Sequence, residues 1–126
     1  ILASVQPDYL VVETTGVAEP DALVFDIQES LPQVRLDGVI TVIDADGLVQ
    51  YPQVGHTSRI QIESADILLL NKIDLVSQPE LARIHEKLQG LNPLAAIIPT
   101  RRCQIDPDLL FGLGRDRLQP SPHHHH

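Results

Sequence analysis

The chain has 126 residues and a formal net charge of −8, from 17 acidic and 9 basic residues, and 43% of its residues are hydrophobic. This length fits one modest globular domain, and the acidic balance without a run of Lys or Arg argues against a nucleic-acid partner. A membrane partner is equally unsupported, since no apolar stretch approaches the roughly 20 residues that a transmembrane helix needs.

Four apolar runs predict the strands of a sheet, at residues 9–12, 39–43, 67–70 and 95–98. Each run is continuous rather than alternating, which is typical of strands buried on both faces of a parallel sheet. The stretches between the runs are long enough to hold crossover helices. The sequence therefore predicts a three-layer α/β domain with a mostly parallel sheet.

Helix signals separate the predicted strands. Pro20 can begin a helix, and residues 77–80 (Ser-Gln-Pro-Glu) match a capping box that begins another. A last helix is expected from residue 106, and the weakly patterned residues 44–64 suggest a surface loop with a short helix near its end. The apolar faces expected to be buried consist of Leu23, Val24, Ile27 and Leu31 in the first helix and Leu81, Ile84, Leu88 and Leu91 in the second.

The single cysteine and the residues at the end of the chain limit the possible cell compartment and the extent of the domain. Cys103 is the only cysteine, so a disulfide framework within the chain is excluded, and we expect a reducing cytoplasm. The histidines at 123–126 resemble an affinity tag behind a Pro-Ser-Pro spacer. We therefore separate residues 119–126, as linker and tag, from a domain at residues 1–118.

The third apolar run ends in an N-K-x-D box, Asn71-Lys72-Ile73-Asp74, of the kind that reads guanine in P-loop GTPases. The carboxylate of Asp74 can accept both the ring N–H and the exocyclic amino group of guanine. Adenine has no ring N–H at that edge and would leave a desolvated carboxylate unpaired. Lys72 would lay its aliphatic stem along the base, and Asn71 would brace the loop. The alternative is an ordinary Asn/Asp turn after a strand.

A second candidate site follows the first apolar run. Glu13 lies where the predicted strand ends, at the edge where open α/β sheets bind ligands, and Gly16 follows three residues later. This spacing is that of the D-x-x-G switch motif of P-loop NTPases, with Glu in place of Asp. The acid of that motif holds Mg²⁺, usually through water, and the glycine N–H approaches the γ-phosphate. Alone, E-x-x-G indicates only a strand–turn–helix junction, but a following N-K-x-D box makes it informative.

Two strings of residues resemble the CobW-like GTPases, relatives of the GTPases that insert nickel into urease and hydrogenase. Residues 13–20 read E-T-T-G-V-A-E-P, similar to the family signature E-T-T-G-x-A-D/E-P, and residues 61–75 contain Q-I-E-S-A-D before N-K-I-D. The resemblance covers about residues 7–113. It implies a P-loop NTPase-type fold and a GTP-dependent metallochaperone that delivers zinc or cobalt to a client metalloprotein.

The resemblance also implies roles for single residues. Glu13 would be the magnesium-associated acid and Gly16 the γ-phosphate sensor, while the N-K-x-D residues would read guanine. Thr100, after the fourth apolar run, falls where GTPases place a further base-contacting loop. Arg101 and Arg102 match no pattern of that loop.

Two elements of the family are absent from the sequence. It contains no G-x-x-x-x-G-K-S/T phosphate loop, and it lacks the C-x-C-C metal-binding motif that precedes the E-T-T-G strand in the family. We therefore interpret the chain as the C-terminal part of a GTPase domain, not competent for hydrolysis alone. The missing phosphate-loop strand would leave two strand edges unpaired, to be covered by the N-terminal half of the domain or by a second copy of the chain.

Two alternative functions remain open. A protein-interaction fragment that keeps the scaffold but works without nucleotide would fit the missing phosphate loop. A nickel-insertion GTPase relative is the other, although the E-T-T-G-x-A-x-P string matches the CobW-like branch better.

Overall fold

The sheet and helices are seen in a computed structural model that describes residues 7–14 and 19–113. Three parallel strands form the sheet in the order β1 (Ile40–Asp44), β2 (Ile67–Asn71) and β3 (Ala96–Pro99). The α/β class predicted from the sequence is confirmed. Gly16, the residues of the predicted domain beyond 113, and the tag lie outside the described residues. The α-helices of the described part are α1 (Pro20–Ser30), α2 (Ala45–Gln50), α3 (His56–Glu63) and α4 (Gln78–Leu91).

The register of the strands brings their carboxyl ends to one edge of the sheet. Asp44, the last residue of β1, lies opposite Asn71, the last residue of β2. On the other side of β2, Leu70 lies opposite Pro99, so Thr100 follows directly after β3 at the same edge. The segments that leave β1, β2 and β3 therefore begin side by side.

The core is built around β2, the central strand. Its apolar residues 67–70 are all buried, as their continuous apolar run predicts. Leu68 and Leu70 belong to a cluster that includes Ile84 and Leu88 of α4 and Ile62 of α3. Burial of each such side chain contributes on the order of 1.5–3 kcal/mol, so packing in this cluster stabilises the described part of the chain.

The predicted capping box begins α4. Ser77 Oγ accepts a hydrogen bond from the backbone N–H of Glu80 at 3.3 Å, and Glu80 Oε1 accepts one from the backbone N–H of Ser77 at 2.8 Å. The bond from the Ser77 backbone is the main cause that lowers the pKa of Glu80. Both bonds satisfy N–H groups that a helix start otherwise leaves without partners.

Asn92, immediately after α4, is a buried polar residue that joins the end of α3 to the start of β3. Its Oδ1 accepts hydrogen bonds from the backbone N–H groups of Leu94 at 3.2 Å and Ala95 at 3.1 Å. Its amide nitrogen donates to three backbone carbonyls at the end of α3, those of Ile62 (2.8 Å), Glu63 (3.3 Å) and Ala65 (2.9 Å). The sequence analysis did not single out this residue.

The prediction of a strand at residues 9–12 is wrong. Residues 7–14, which the structure describes, have no regular secondary structure, and Val11 is 74% exposed. A strand is stable only when a neighbouring strand pairs with its backbone, and residues 9–12 pair with neither β1 nor β3. Tyr9 instead contacts the ring of Phe111, with ring centroids 4.7 Å apart.

Three helix predictions also need correction. Residues 44–64 contain α2 and α3 instead of a loop with one short helix, and α2 begins at Ala45 because the Asp44 side chain caps it. The last helix is only one 3₁₀ turn, Pro107–Leu109, and the chain soon reaches Gly112 with a left-handed φ of 71°. No residue of α1, Pro20–Ser30, is buried, so its predicted apolar face is only partly covered.

Candidate functional site

The predicted base-reading residues lie at the carboxyl edge of the sheet, in the two loops that follow β2 and β3. Asn71 ends β2, Lys72 and Asp74 follow it, and Thr100 follows β3. We call residues 71–75 the base loop and residues 100–104 the β3 loop. The backbone N–H of Ile73 donates to the carbonyl of Thr100 at 3.3 Å, so the two loops are in direct contact.

Asn71 joins the two loops through a single oxygen atom. Its Oδ1 accepts a hydrogen bond from Thr100 Oγ1 at 3.0 Å and another from the backbone N–H of Cys103 at 2.8 Å. Thr100 is only 3% exposed, and its backbone N–H continues the ladder by donating to Leu70 at 2.8 Å. The Thr100 hydroxyl therefore supports the base loop from inside, while the exposed residues of the β3 loop are those after it.

Lys72 has an unusual backbone conformation for its residue type, with φ 65° and ψ 34°. Its Nζ lies 3.0 Å from Asp44 Oδ2, and both side chains are about half exposed. The other carboxylate oxygen, Asp44 Oδ1, accepts the backbone N–H of Gly47 at 3.0 Å. The pKa of Asp44 is held below its ordinary value, first by that Gly47 N–H and then by Lys72. Asp44 therefore remains ionised beside the lysine at neutral pH.

Left-handed backbone conformations gather in these two loops. In the described part of the chain, the non-glycine residues with positive φ are Lys72, Arg102 and Cys103. Arg102 and Cys103 are the central residues of a turn that is closed by a hydrogen bond from the Gln104 N–H to the Arg101 carbonyl at 2.9 Å. Such conformations cost on the order of 1–3 kcal/mol each and are concentrated at functional sites.

Asp74 lies in the one-turn 3₁₀ helix Ile73–Leu75, and its side chain is exposed. Its carboxylate makes no hydrogen bond to any other residue that the structure describes. An exposed carboxyl group two residues after Lys72 fits the chemistry of guanine recognition, because it offers two oxygens as acceptors to two neighbouring N–H donors. The base loop therefore presents one anchored residue, Asn71, one paired cation and one open acceptor.

The second predicted site is not joined to this one. Glu13 is exposed in the irregular segment 7–14, and it makes no hydrogen bond to the described residues of the two loops. Gly16 lies outside the described residues. The roles of Glu13 toward Mg²⁺ and of Gly16 toward the γ-phosphate stay predictions.

Asp44 and Cys103 also contact residues of the site. From its place at the end of the second apolar run, Asp44 is expected either to face the site or to cap a helix, and it makes both contacts. The capping role of Asp44 can be recognised from its position before a helix, but its pairing with Lys72 depends on the register of β1 against β2. Cys103 contributes only a backbone N–H, at a left-handed position where no glycine marks the turn.

The described ranges, 7–14 and 19–113, contain neither a candidate metal site nor a candidate membrane-spanning helix. Within them, no three His, Cys, Asp or Glu side chains are grouped so that they could hold a metal ion. In the same ranges, no helix is both long enough and apolar enough to cross a bilayer.

Comparison with known proteins settles the family. The sequence profile of the CobW/HypB/UreG nucleotide-binding domain matches residues 1–99. The chain belongs to the CobW/HypB/UreG family. This confirms the resemblance drawn from the E-T-T-G and N-K-x-D strings. The three-stranded parallel sheet is consistent with part of the P-loop NTPase-type domain of this family.

Several characterised members of the CobW/HypB/UreG family are similar to the chain. It is 39% identical to zinc-regulated GTPase metalloprotein activator 1 of Schizosaccharomyces pombe, over 79% of this chain and 25% of that protein. It is 32% identical to the zinc chaperone YjiA of Escherichia coli, over 94% of this chain and 37% of that protein. It is 29% identical to the zinc chaperone CobW of Pseudomonas aeruginosa, over 94% of this chain and 39% of that protein.

The chain spans between a quarter and two fifths of the length of these relatives. No solved structure matches it significantly.

Proposed function

We propose that this chain supplies the guanine-reading part of a GTP-dependent zinc chaperone. The observation that carries the proposal is the joined pair of loops at the carboxyl edge of the sheet, in which Asn71 Oδ1 holds Thr100 and Cys103. Because these hydrogen bonds fix the start of the base loop, they also restrict the backbone position of Asp74, three residues later. Open α/β sheets bind ligands at this edge.

Each residue of the base loop has a distinct role in this proposal. Asp74 accepts the ring N–H and the amino group of guanine, and the aliphatic stem of Lys72 lies along the base. Asn71 positions the loop through Thr100 and through the Cys103 backbone. A base that lacks the ring N–H leaves the Asp74 carboxylate desolvated without a second donor, and such a mismatch is strongly rejected.

Glu13 and Gly16 would act at the phosphate end of the nucleotide. A carboxylate oxygen such as that of Glu13 is the kind of ligand that Mg²⁺ accepts, commonly through water, and the exposed position of Glu13 is compatible with this role. When bound, Mg²⁺ would neutralise phosphate charge. We propose Gly16 as the residue whose backbone N–H senses the γ-phosphate.

Zinc is the proposed cargo, in preference to cobalt. The support is that similar family members are named as zinc chaperones or as a zinc-regulated activator of metalloproteins. The partner would be a client metalloprotein in the cytoplasm. Cargo binding is assigned to a C-x-C-C motif that this sequence does not contain.

A further strand beside β1 is also part of the proposal. Val42 of β1 is 58% exposed and Ile40 is 37% exposed, although both are apolar and lie in a strand. β1 is an edge strand of the described sheet, and an apolar edge strand left open favours pairing with another strand. We propose that it comes from the N-terminal half of the domain or from a second copy of the chain.

The base-reading role is tested by a substitution, Asp74→Asn, that replaces one acceptor oxygen of the carboxylate with a donor NH₂ group. Wild type and Asp74→Asn are titrated with GDP, XDP and ADP at up to millimolar concentration, and dissociation constants are taken from amide chemical shifts. We expect wild type to prefer GDP. Xanthine carries a carbonyl where guanine carries its amino group, so the Asp74→Asn variant is expected to prefer XDP. Equal binding of all three nucleotides by wild type would reject the proposed function and favour a nucleotide-independent interaction module.

A further inference from the structure

The Asp44 side chain contacts both α2 and the base loop, at the edge of the candidate site. Its Oδ1 accepts the backbone N–H of Gly47 at 3.0 Å and so caps α2, while its Oδ2 lies 3.0 Å from Lys72 Nζ. The backbone of Asp44 is held in the sheet as the last residue of β1, and its carboxylate is held by the capping hydrogen bond. Lys72 therefore pairs with a carboxylate whose position is already fixed.

The left-handed conformation of Lys72 is what allows this pairing. Asp44 lies opposite Asn71 in the register of β1 and β2, one residue before the lysine. With φ 65° and ψ 34°, the chain turns sharply after Asn71, and the Lys72 side chain reaches back to β1. An unpaired lysine at this half-exposed position would sample many rotamers, since its stem carries four rotatable bonds.

We propose that Asp44 is a positioning residue for base recognition, which acts through Lys72 without touching the nucleotide. This inference rests on the proposed function of the base loop. By holding the ammonium group at β1, Asp44 fixes the direction of the aliphatic stem that lies along the base. It also neutralises the lysine charge, so that the stem presents an apolar surface next to Asp74.

The simpler alternative is that Asp44 acts only as the cap of α2. Asparagine separates the two roles, because it caps helices about as well as aspartate but cannot form the ion pair. Asp46 offers a matched control. It lies in the first turn of the same helix, its Oδ2 accepts from Gln50 Nε2 at 3.0 Å, and Asp46→Asn removes the same charge.

The decisive measurement compares Asp44→Asn in two backgrounds, wild type and Lys72→Met. Methionine keeps an unbranched apolar stem but has no charge to pair. In wild type, we expect Asp44→Asn to weaken GDP binding about two- to fivefold, the range that a half-exposed ion pair can account for. In the Lys72→Met background it should change GDP binding by less than about 1.5-fold. Asp46→Asn should leave GDP binding unchanged, and the melting temperatures of all variants are measured alongside.

The possible outcomes separate the inference from the proposed function. A loss that is present with Lys72 and absent in the Lys72→Met background supports the positioning role. An equal loss in both backgrounds, or no loss in either, overturns it, since a purely capping residue acts independently of the lysine. If wild type itself shows no preference for GDP over ADP, the proposed function fails and the inference fails with it.

Discussion

The Oδ1 atom of Asn71 lies 3.0 Å from the hydroxyl oxygen of Thr100, so that the loops after β2 and β3 share one acceptor. Thr100 is buried, whereas the turn after it is exposed. The hydrogen bond thus places a part-buried contact directly beneath the exposed residues that we propose to face the nucleotide. We therefore expect base binding to depend on this support as much as on the residues proposed to touch the base.

Removal of the Thr100 hydroxyl is expected to affect both stability and binding. Thr100→Val keeps the shape of the side chain but removes the donor to Asn71, which should lower the free energy of unfolding by about 1 kcal/mol. GDP affinity should fall as well, because Asn71 keeps only its bond from the Cys103 backbone. Urea denaturation and GDP titration measure the two effects.

Thr41→Val is the matched control for this substitution. Thr41 Oγ1 donates to the carbonyl of Gln61 at 2.9 Å, away from the base loop, so the variant should lose similar stability without a loss of GDP affinity. If both variants changed GDP affinity equally, the effect would reflect stability alone.

Asn92→Ala should be among the most destabilising substitutions in the described part of the chain. It deletes a side chain that forms hydrogen bonds with three carbonyls and two N–H groups in a buried or part-buried location, where a polar group left without a partner carries a desolvation penalty. We expect a loss of about 3 kcal/mol or more in urea denaturation. Gln89→Ala, at an exposed position of α4, should stay within about 0.5 kcal/mol of wild type. A loss below about 1 kcal/mol for Asn92→Ala would show that the network relaxes around the gap.

Leu88→Ala tests the apolar cluster beneath the sheet. Leu88 is fully buried in that cluster, so the substitution should leave a cavity and cost about 2–5 kcal/mol of unfolding free energy. Leu94→Ala, whose side chain is 78% exposed, provides the comparison and should change stability little. Similar losses at the two positions would contradict the packing of α4 against β2.

The pH dependence of stability should carry a contribution from Asp44. Its pKa is lowered in the folded chain by the Gly47 N–H and by Lys72, so the contribution is present above the unfolded value and is lost as pH falls through the folded value. The difference in unfolding free energy between wild type and Asp44→Asn should therefore shrink as pH falls from about 5 to about 2. Chemical denaturation at several pH values measures it. A difference that stays constant across this range would show that Asp44 gains nothing from its ionised form.

The parts of the fold that the sequence predicted are those in which local pattern and burial agree. The apolar run at residues 67–70 became the buried central strand, and Ser77 and Glu80 formed the capping box. Residues 9–12 have a similar apolar pattern but no paired strand, because pairing depends on a neighbour that the pattern does not encode. Local sequence predicts the capacity to form a strand, whereas the sheet decides whether it forms.

In the candidate site too, the sequence predicts the residues that form a local pattern but not the contacts that depend on how distant segments pack. The N-K-x-D box was recognised because its residue types are adjacent in the chain. The bond from Lys72 to Asp44 joins residues 28 positions apart, and its formation requires both the strand register and a left-handed backbone. Neither requirement leaves a mark in residue type at Lys72, since no glycine or asparagine stands there.

The order of strands in the sheet, β1-β2-β3, is also their order along the chain. Each strand therefore adds to the edge left by the one before it, and no established pair has to open to admit a later strand. Neighbours in the sheet are therefore also successive in the chain, which keeps the loops that must be closed shorter than any other order of these three strands would. During synthesis, β2 follows β1 and α3 out of the ribosome and can pair with β1 before β3 is made, so Asn71 is made before Thr100 and Cys103, the residues that donate to it.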